Sequence, residues 1–192
     1  IGISFFLQNA AQLIFGADPV MFENLFPGNL SLGALTVSRV SVIIICVSIV
    51  LMIALVLLVN KTRMGRAMRA VSEDESTAAL MGINVNTTIS FAFALGSALA
   101  AVAAILYSCA YTQISPTMGG MLGLKAFVAA VLGGIGSIPG AMLGGILIGI
   151  CETLTKAYIS SSFADAIVFG ILIVVLIIRP SGLLGVKTKE KV

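Results

Sequence analysis

Apolar positions along this chain come in long unbroken runs parted by short polar stretches. Residues 40–59, VSVIIICVSIVLMIALVLLV, carry no charge, and residues 89–109, ISFAFALGSALAAVAAILYSC, form a second run of the same kind. A third begins at 125, halts at GGIGSIPG (133–140), and resumes as AMLGGILIGICETL (141–154). The last is DAIVFGILIVVLII, 165–178. A helix needs about 20 apolar residues to cross the hydrocarbon core, whereas a lipid-facing barrel would show alternating ten-residue segments. The pattern therefore predicts an all-α, polytopic helical membrane protein. Short broken or re-entrant helices are expected near 118–158, because Pro116 and three glycines interrupt 110–124 and the GGIGSIPG run splits the third apolar stretch. Residues 1–16 read as the end of a membrane helix whose Gln8, Asn9 and Gln12, within one turn, face a protein interior or cavity rather than lipid. Residues 17–38 read as a loop, with Asp18-Pro19, Pro27-Gly28 and Gly33 as turn signals. In 89–109, Ala94, Ser97, Ala98, Ala101 and Ala104 recur at the helical spacing of a close helix contact.

Composition agrees: 59% of residues are hydrophobic and 10% charged, where an ordinary soluble domain carries about 25%. The net charge of +3 does not point to nucleic acid, since the basic residues flank apolar spans, where they set orientation. Lys61, Arg63, Arg66 and Arg69 in one loop, and Arg179, Lys187, Lys189 and Lys191 at the end, place loop 60–88 and the C-terminus in the cytoplasm. Parity then requires an even number of crossings between 118 and 158, as a thin hairpin or as a re-entrant pair meeting inside the membrane. Backbone of the latter kind is tolerated only where it is buried in protein or lines a cavity, which makes Gly133, Gly134, Gly136 and Ser137 candidates for a translocation pathway, together with Gln8, Asn9 and Gln12. Ile1 lies inside an apolar stretch with no basic leader, so the chain reads as a fragment of a single transmembrane domain lacking earlier helices. Cys46, Cys109 and Cys151 match no metal or redox spacing and read as small buried hydrophobes.

The densest charge lies in 65–85, GRAMRAVSEDESTAALMGINV. Ser72 to Glu75 has the S-x-x-E spacing of a capping box. Glu73, Asp74 and Glu75 in a first turn suit the positive end of a helix dipole, and Gly82 fits the left-handed position that ends a helix. The spacing predicts a stiff helix over 72–82 with Ala78, Ala79, Leu80 and Met81 as an apolar face, flanked by Arg66 and Arg69. GGIGSIPG lacks the Lys-Ser/Thr of a phosphate-binding loop. Gly136, Gly140 and Gly144, and separately Gly145 and Gly149, have the small-xxx-small spacing of close packing. Glu152 and Lys156 are spaced for a helix salt bridge, Lys125 for snorkelling to the interface, and Asp165 for capping the last helix. With no His and no clustered carboxylates, catalytic residues and a resident metal are not expected.

Three blocks carry a resemblance: TRMGRAMRAVSEDESTAALMGINV at 62–85, GLKAFVAAVLGGIGSIPGAMLGGILIG at 123–149 and IRPSGLLG at 178–185. Together they resemble the permeases of branched-chain amino acid (Liv-type) ABC importers, over nearly the whole chain. The resemblance implies a bacterial cytoplasmic-membrane permease that works with a second permease subunit, two ATPase subunits and an extracytoplasmic binding protein. No cofactor is implied in this chain, since the ATPases use the ATP. It also implies that Arg69, Ser72, Glu73, Asp74, Glu75, Ala78, Ala79 and Gly82 form the element that contacts the ATPase. Ser76-Thr77 stands where the importer-wide pattern has Glu-Ala. The competing reading, a stand-alone secondary transporter or channel for small amphipathic solutes, calls for ion-coupling residues within the spans, and the runs are nearly bare of them.

Overall fold

The computed structural model describes residues 2–21, 28–32, 35–111, 113–179 and 181–185. Glu23, Pro27, Gly33, Pro180 and the tail lysines Lys187, Lys189 and Lys191 lie outside these, so the expectations placed on them are not addressed. Residues 1–116 and 117–192 form two compact units.

The first unit opens with helix α1 (Gly2–Phe15) and continues through strands β1 (Val20–Met21), β2 (Asn29–Leu32) and β3 (Leu35–Ser38). Residues 17–38 are thus not simply a loop: β2 and β3 make an antiparallel hairpin with Asn29 opposite Ser38. Helices α2 (Arg39–Lys61), α3 (Arg63–Glu73), α4 (Glu75–Leu80) and α5 (Val85–Ala110) come next. A short strand β4 (Gln113–Ile114) then pairs antiparallel with β1. α2 and α5 are each long and apolar enough to cross a membrane and correspond to the runs at 40–59 and 89–109. α5 starts four residues earlier than the apolar run because Asn84 caps it, its side chain accepting the Thr87 N–H at 3.1 Å. Of the cysteines expected to be buried, Cys109 is, but Cys46 is exposed and Cys151 intermediate. An exposed thiol on an apolar helix behaves as a small hydrophobe.

The second unit holds α6 (Met118–Gly133), α7 (Ile138–Tyr158), a 3₁₀ turn (Ser161–Phe163) and α8 (Ala164–Ile178). α7 and the segment Ser161–Ile178 meet the length and apolarity of a span, while α6, with 16 residues, covers only about 24 Å at 1.5 Å per residue. Val128, Leu132, Ile148 and Val168 are its buried core, one cluster drawn from all three helices. The glycines explain how closely α6 and α7 approach. A Cβ on Gly133 would collide with the carbonyl of Gly140, and one on Gly144 with the carbonyl oxygen of Ala129. Beyond α8 the chain turns at Gly182 (φ +75°), and Leu183 and Leu184 donate their N–H groups to the carbonyls of Leu132 and Gly133, at 3.0 and 2.9 Å. Two of the orphan carbonyls at the end of α6 are satisfied by this returning tail. The helix break therefore lies level with the end of α8.

Candidate functional site

The charged segment between α2 and α5 is two helices at an angle, not one. α3 carries Met64, Ala67, Met68 and Val71 at helical spacing, and this stripe is half-buried to buried, so the helix runs on through Ser72. The expected capping box is consequently absent. Ser72 donates its hydroxyl to the Arg69 carbonyl at 2.8 Å, and Glu73 is the last residue of α3 rather than part of a first turn. The cap of α4 is Asp74, whose backbone breaks out to φ −161°, ψ 113°. Its carboxylate accepts the N–H of Ser76 at 2.9 Å, the Ser76 hydroxyl at 2.7 Å and the Thr77 hydroxyl at 2.5 Å. Only Glu75 occupies the first turn. At the other end Gly82 has φ +84°. Its N–H bonds to the Ala79 carbonyl (3.0 Å) and that of Ile83 to the Ala78 carbonyl (3.1 Å), the paired bonds of a Schellman ending. The apolar face is split. Ala78 is buried while Ala79 is exposed, and Leu80 and Met81 stand 88% and 80% exposed. The angle between α3 and α4 opens a groove of about 270 Å³ lined by Ala70, Glu73, Asp74, Thr77, Ala78 and Met81.

Two features that local patterns missed fix this segment to the spans. Thr62 lies at the corner between α2 and α3, accepting the Gly65 N–H at 3.0 Å and donating to the Leu58 carbonyl at 2.6 Å. Gly65 is buried so tightly that a Cβ would meet the Leu58 carbonyl oxygen and Val59 Cα at 2.5 Å. Arg69, expected at the partner surface, reaches back to Asn60 Oδ1 at 3.3 Å. The segment is a cornered extension of α2; α3 also packs against α5, to which a short link joins α4.

The expected pathway residues fall in different units. In α1, Gln8 and Gln12 are half-buried, whereas Asn9 is exposed and donates to its own helix at the Phe5 carbonyl, 2.8 Å away. No residue of α1 is buried. In the second unit, Gly133 and Gly134 are buried by packing, Gly134 against the backbone of Gly185. Gly136 (φ +91°) is exposed at the turn. Ser137 caps α7, its hydroxyl accepting the Gly140 N–H at 3.2 Å. Gly140 and Gly144 pack as their spacing suggested, but among the described residues nothing approaches Gly149 within 4 Å. The Glu152–Lys156 pair is present at 2.6 Å. Lys125 and Asp165 pair with each other, and Asp165 does not cap α8, whose N-cap is Phe163. Among apolar helices, opposite charges that pair offset part of the cost of burying either alone.

Residues 3–176 match a family model described as branched-chain amino acid transport system, permease component. The chain belongs to this family. Over its full length it is 44% identical to the high-affinity branched-chain amino acid transport system permease protein LivH of Escherichia coli. It is equally similar to BraD of Pseudomonas aeruginosa, which carries the same description. A probable LivH of Methanocaldococcus jannaschii is 40% identical over 75% of the chain and 48% of that protein. The chain spans 64% of the length of the first two relatives. No solved structure matches it. With four span-length apolar helices among its described residues, this family member is a multi-pass membrane protein.

In this permease-family chain the Asp74 cap has a pH signature. Hydrogen bonds from Thr77 first, then Ser76, lower its carboxyl from 3.8 to about 2. Because the folded value is depressed, the cap contributes fully above the unfolded value and is lost as pH falls through about 2. Amide protection over 75–78 in hydrogen-exchange measurements is expected to hold from neutral pH down to about pH 4, where ordinary carboxylates titrate. Asp74→Ala is expected to lose it at every pH. Protection that collapses near pH 4 in the unaltered protein would show that Asp74 does not cap α4.

Proposed function

We propose that the chain is the membrane-spanning body of an ABC importer permease that carries branched-chain or similar apolar amino acids across the bacterial cytoplasmic membrane. In this reading α3 and α4 lie in the cytoplasm with the C-terminus, as the basic residues of 61–69 and Arg179 require. The observation that carries it is the construction of α4: capped at both ends, tied to both spans, and offering Leu80 and Met81 to solvent. Large apolar side chains held out in water on a rigid short helix are anchors for a partner's pocket, and the exposed carboxylates of Glu73 and Glu75 form a polar rim around them. The partner is an ATPase subunit, bound once to this permease and once to a second permease subunit, with an extracytoplasmic binding protein delivering substrate. The ATPase dimer pushes α4, and the corner at Thr62–Gly65 passes the displacement to α2 while the short 81–84 link passes it to α5. No cofactor resides in this chain; the energy comes from ATP used by the partners.

Leu80→Asp together with Met81→Asp is expected to leave the full-length protein in the membrane at normal levels. Each anchor lost costs about 2 kcal/mol or more of binding, so co-purification of the ATPase should fall by well over tenfold and ATP-dependent leucine uptake with it. ATPase that co-purifies undiminished with the double variant would refute the docking role. Uptake by the permease reconstituted without any ATPase would favour the stand-alone transporter instead.

A further inference from the structure

Within 117–192 the fold gathers four ionised side chains from three helices: Lys125 of α6, Glu152 and Lys156 of α7, and Asp165 of α8. Lys125 Nζ lies 2.8 Å from Glu152 Oε1 and 2.8 Å from Asp165 Oδ1, and Lys156 Nζ meets the same Glu152 oxygen at 2.6 Å. Lys125 and Glu152 are the shielded members, with side chains 20% and 18% exposed. The group is electrically neutral, two cations against two carboxylates. Through its ion pairs Lys125 joins α6 to both other helices, and among the described residues it is the ion-pair partner of Asp165.

The position of this node is as telling as its chemistry. Lys125 stands seven residues in from the start of α6 and Glu152 six from the end of α7, about 10 Å along each helix. At the opposite end of the same helices, Gly133, Gly140 and Gly144 bring α6 and α7 into backbone contact, and Leu183 and Leu184 tie the chain after α8 to α6. Between the two ends lies the core of Val128, Leu132, Ile148 and Val168. The three helices are thus joined by ion pairs at one end, apolar packing in the middle and glycine contacts at the other.

We propose that Lys125 is the positioning residue of an ionic lock that keeps α6, α7 and α8 one rigid body throughout transport. Access then alternates by displacing this unit whole, not by splaying α6 from its neighbours. Neutrality favours a lock over a substrate site. The lysines and carboxylates already satisfy one another, and an incoming zwitterion would have to break an internal pair to make an equivalent one. Lys156 and Asp165, 45% and 43% exposed, mark the open rim of the node.

The inference rests on the permease reading for its transport arm, and thermal unfolding keeps the two separable. In the full-length protein, assembled with its partners, Lys125→Met is expected to leave Asp165 and part of Glu152 uncompensated. It should lower the melting temperature by several degrees and leucine uptake by about tenfold, with KM unchanged. Lys125→Arg restores both. Lys125→Met with Asp165→Asn should lose less than the sum of the single losses, because no orphan carboxylate remains at 165. Cysteines at 125 and 165, in a background without the three native ones, should support uptake when joined by a short bifunctional thiol reagent. Additive losses, a changed KM with an unchanged melting temperature, or uptake abolished by the crosslink would each overturn the lock. Non-additive melting shifts in a protein that transports no amino acid even unaltered would support the lock and overturn the permease reading.

Discussion

Gly133→Ala is expected to yield no folded permease, although it adds a single methyl group. That methyl would sit inside the carbonyl of Gly140, with Ala141 N only 2.5 Å away. Overpacking a filled core typically costs about 1–3 kcal/mol when side chains can shift. Here the atoms struck are backbone, held by their own helix hydrogen bonds, so relief requires α6 and α7 to move apart. Their separation would open the core at Val128, Leu132 and Ile148 and pull the Gly133 carbonyl from Leu184. Gly144→Ala meets the Ala129 carbonyl oxygen in the same way and is expected to share the defect. Gly149→Ala, five residues on, meets nothing within 4 Å among the described residues and should gain roughly 1 kcal/mol in helix propensity. Size-exclusion profiles of the detergent-solubilised full-length protein separate these outcomes. A monodisperse Gly133→Ala protein that melts where the parent does would disprove the contact.

The contrast among these glycines shows what local sequence can and cannot specify. Gly140, Gly144, Gly145 and Gly149 all satisfy a four-residue spacing, yet one residue along a helix is a rotation of about 100°. Spacing announces that a contact face exists, and packing decides which face is used. The same division runs through the rest of the chain. The spans were legible because long apolar runs have few alternatives in physics, and Gly82 because its left-handed backbone belongs almost only to glycine. The start of α4 is not where Ser72 signals it. The S-x-x-E spacing is genuine, but α3 buries Val71 and so carries the helix past the signal. The true cap, Asp74 with Thr77, fits a similar offset two residues later. The Lys125–Glu152 and Lys125–Asp165 pairings had no local signature, since they belong to the tertiary arrangement of three helices. A snorkelling lysine, an isolated helix pair and a capping aspartate are each what a helix without neighbours would make of them.

Gly65→Leu is expected to separate folding from coupling. The isobutyl group would drive into the last turn of α2, where the Val59 carbonyl oxygen and Cα and the Leu58 carbonyl oxygen leave no space. α2 itself, 23 residues long, has no reason to leave the membrane, because its stability there comes from its apolar length. What must yield is the corner. Thr62 loses its bond from the Gly65 N–H and its alignment on the Leu58 carbonyl, and Arg69 is carried away from Asn60. α3 then pivots, and α4 presents Leu80 and Met81 in the wrong direction. Thr62→Val removes the two side-chain hydrogen bonds without the clash, at about 1 kcal/mol each, and is expected to show the same defect in milder form. In membranes containing the assembled transporter, Gly65→Leu should be present at near-normal levels while leucine uptake falls at least tenfold. Substrate stimulation of the ATPase should disappear together with uptake, because a corner that bends absorbs the displacement it should transmit. Normal uptake with Gly65→Leu would mean that α3 is a tether and not a lever. Loss of the protein from the membrane would mean that the corner serves insertion, not coupling. Thr62→Val distinguishes that case: it inserts normally if coupling is the role, and its uptake then falls ahead of its abundance.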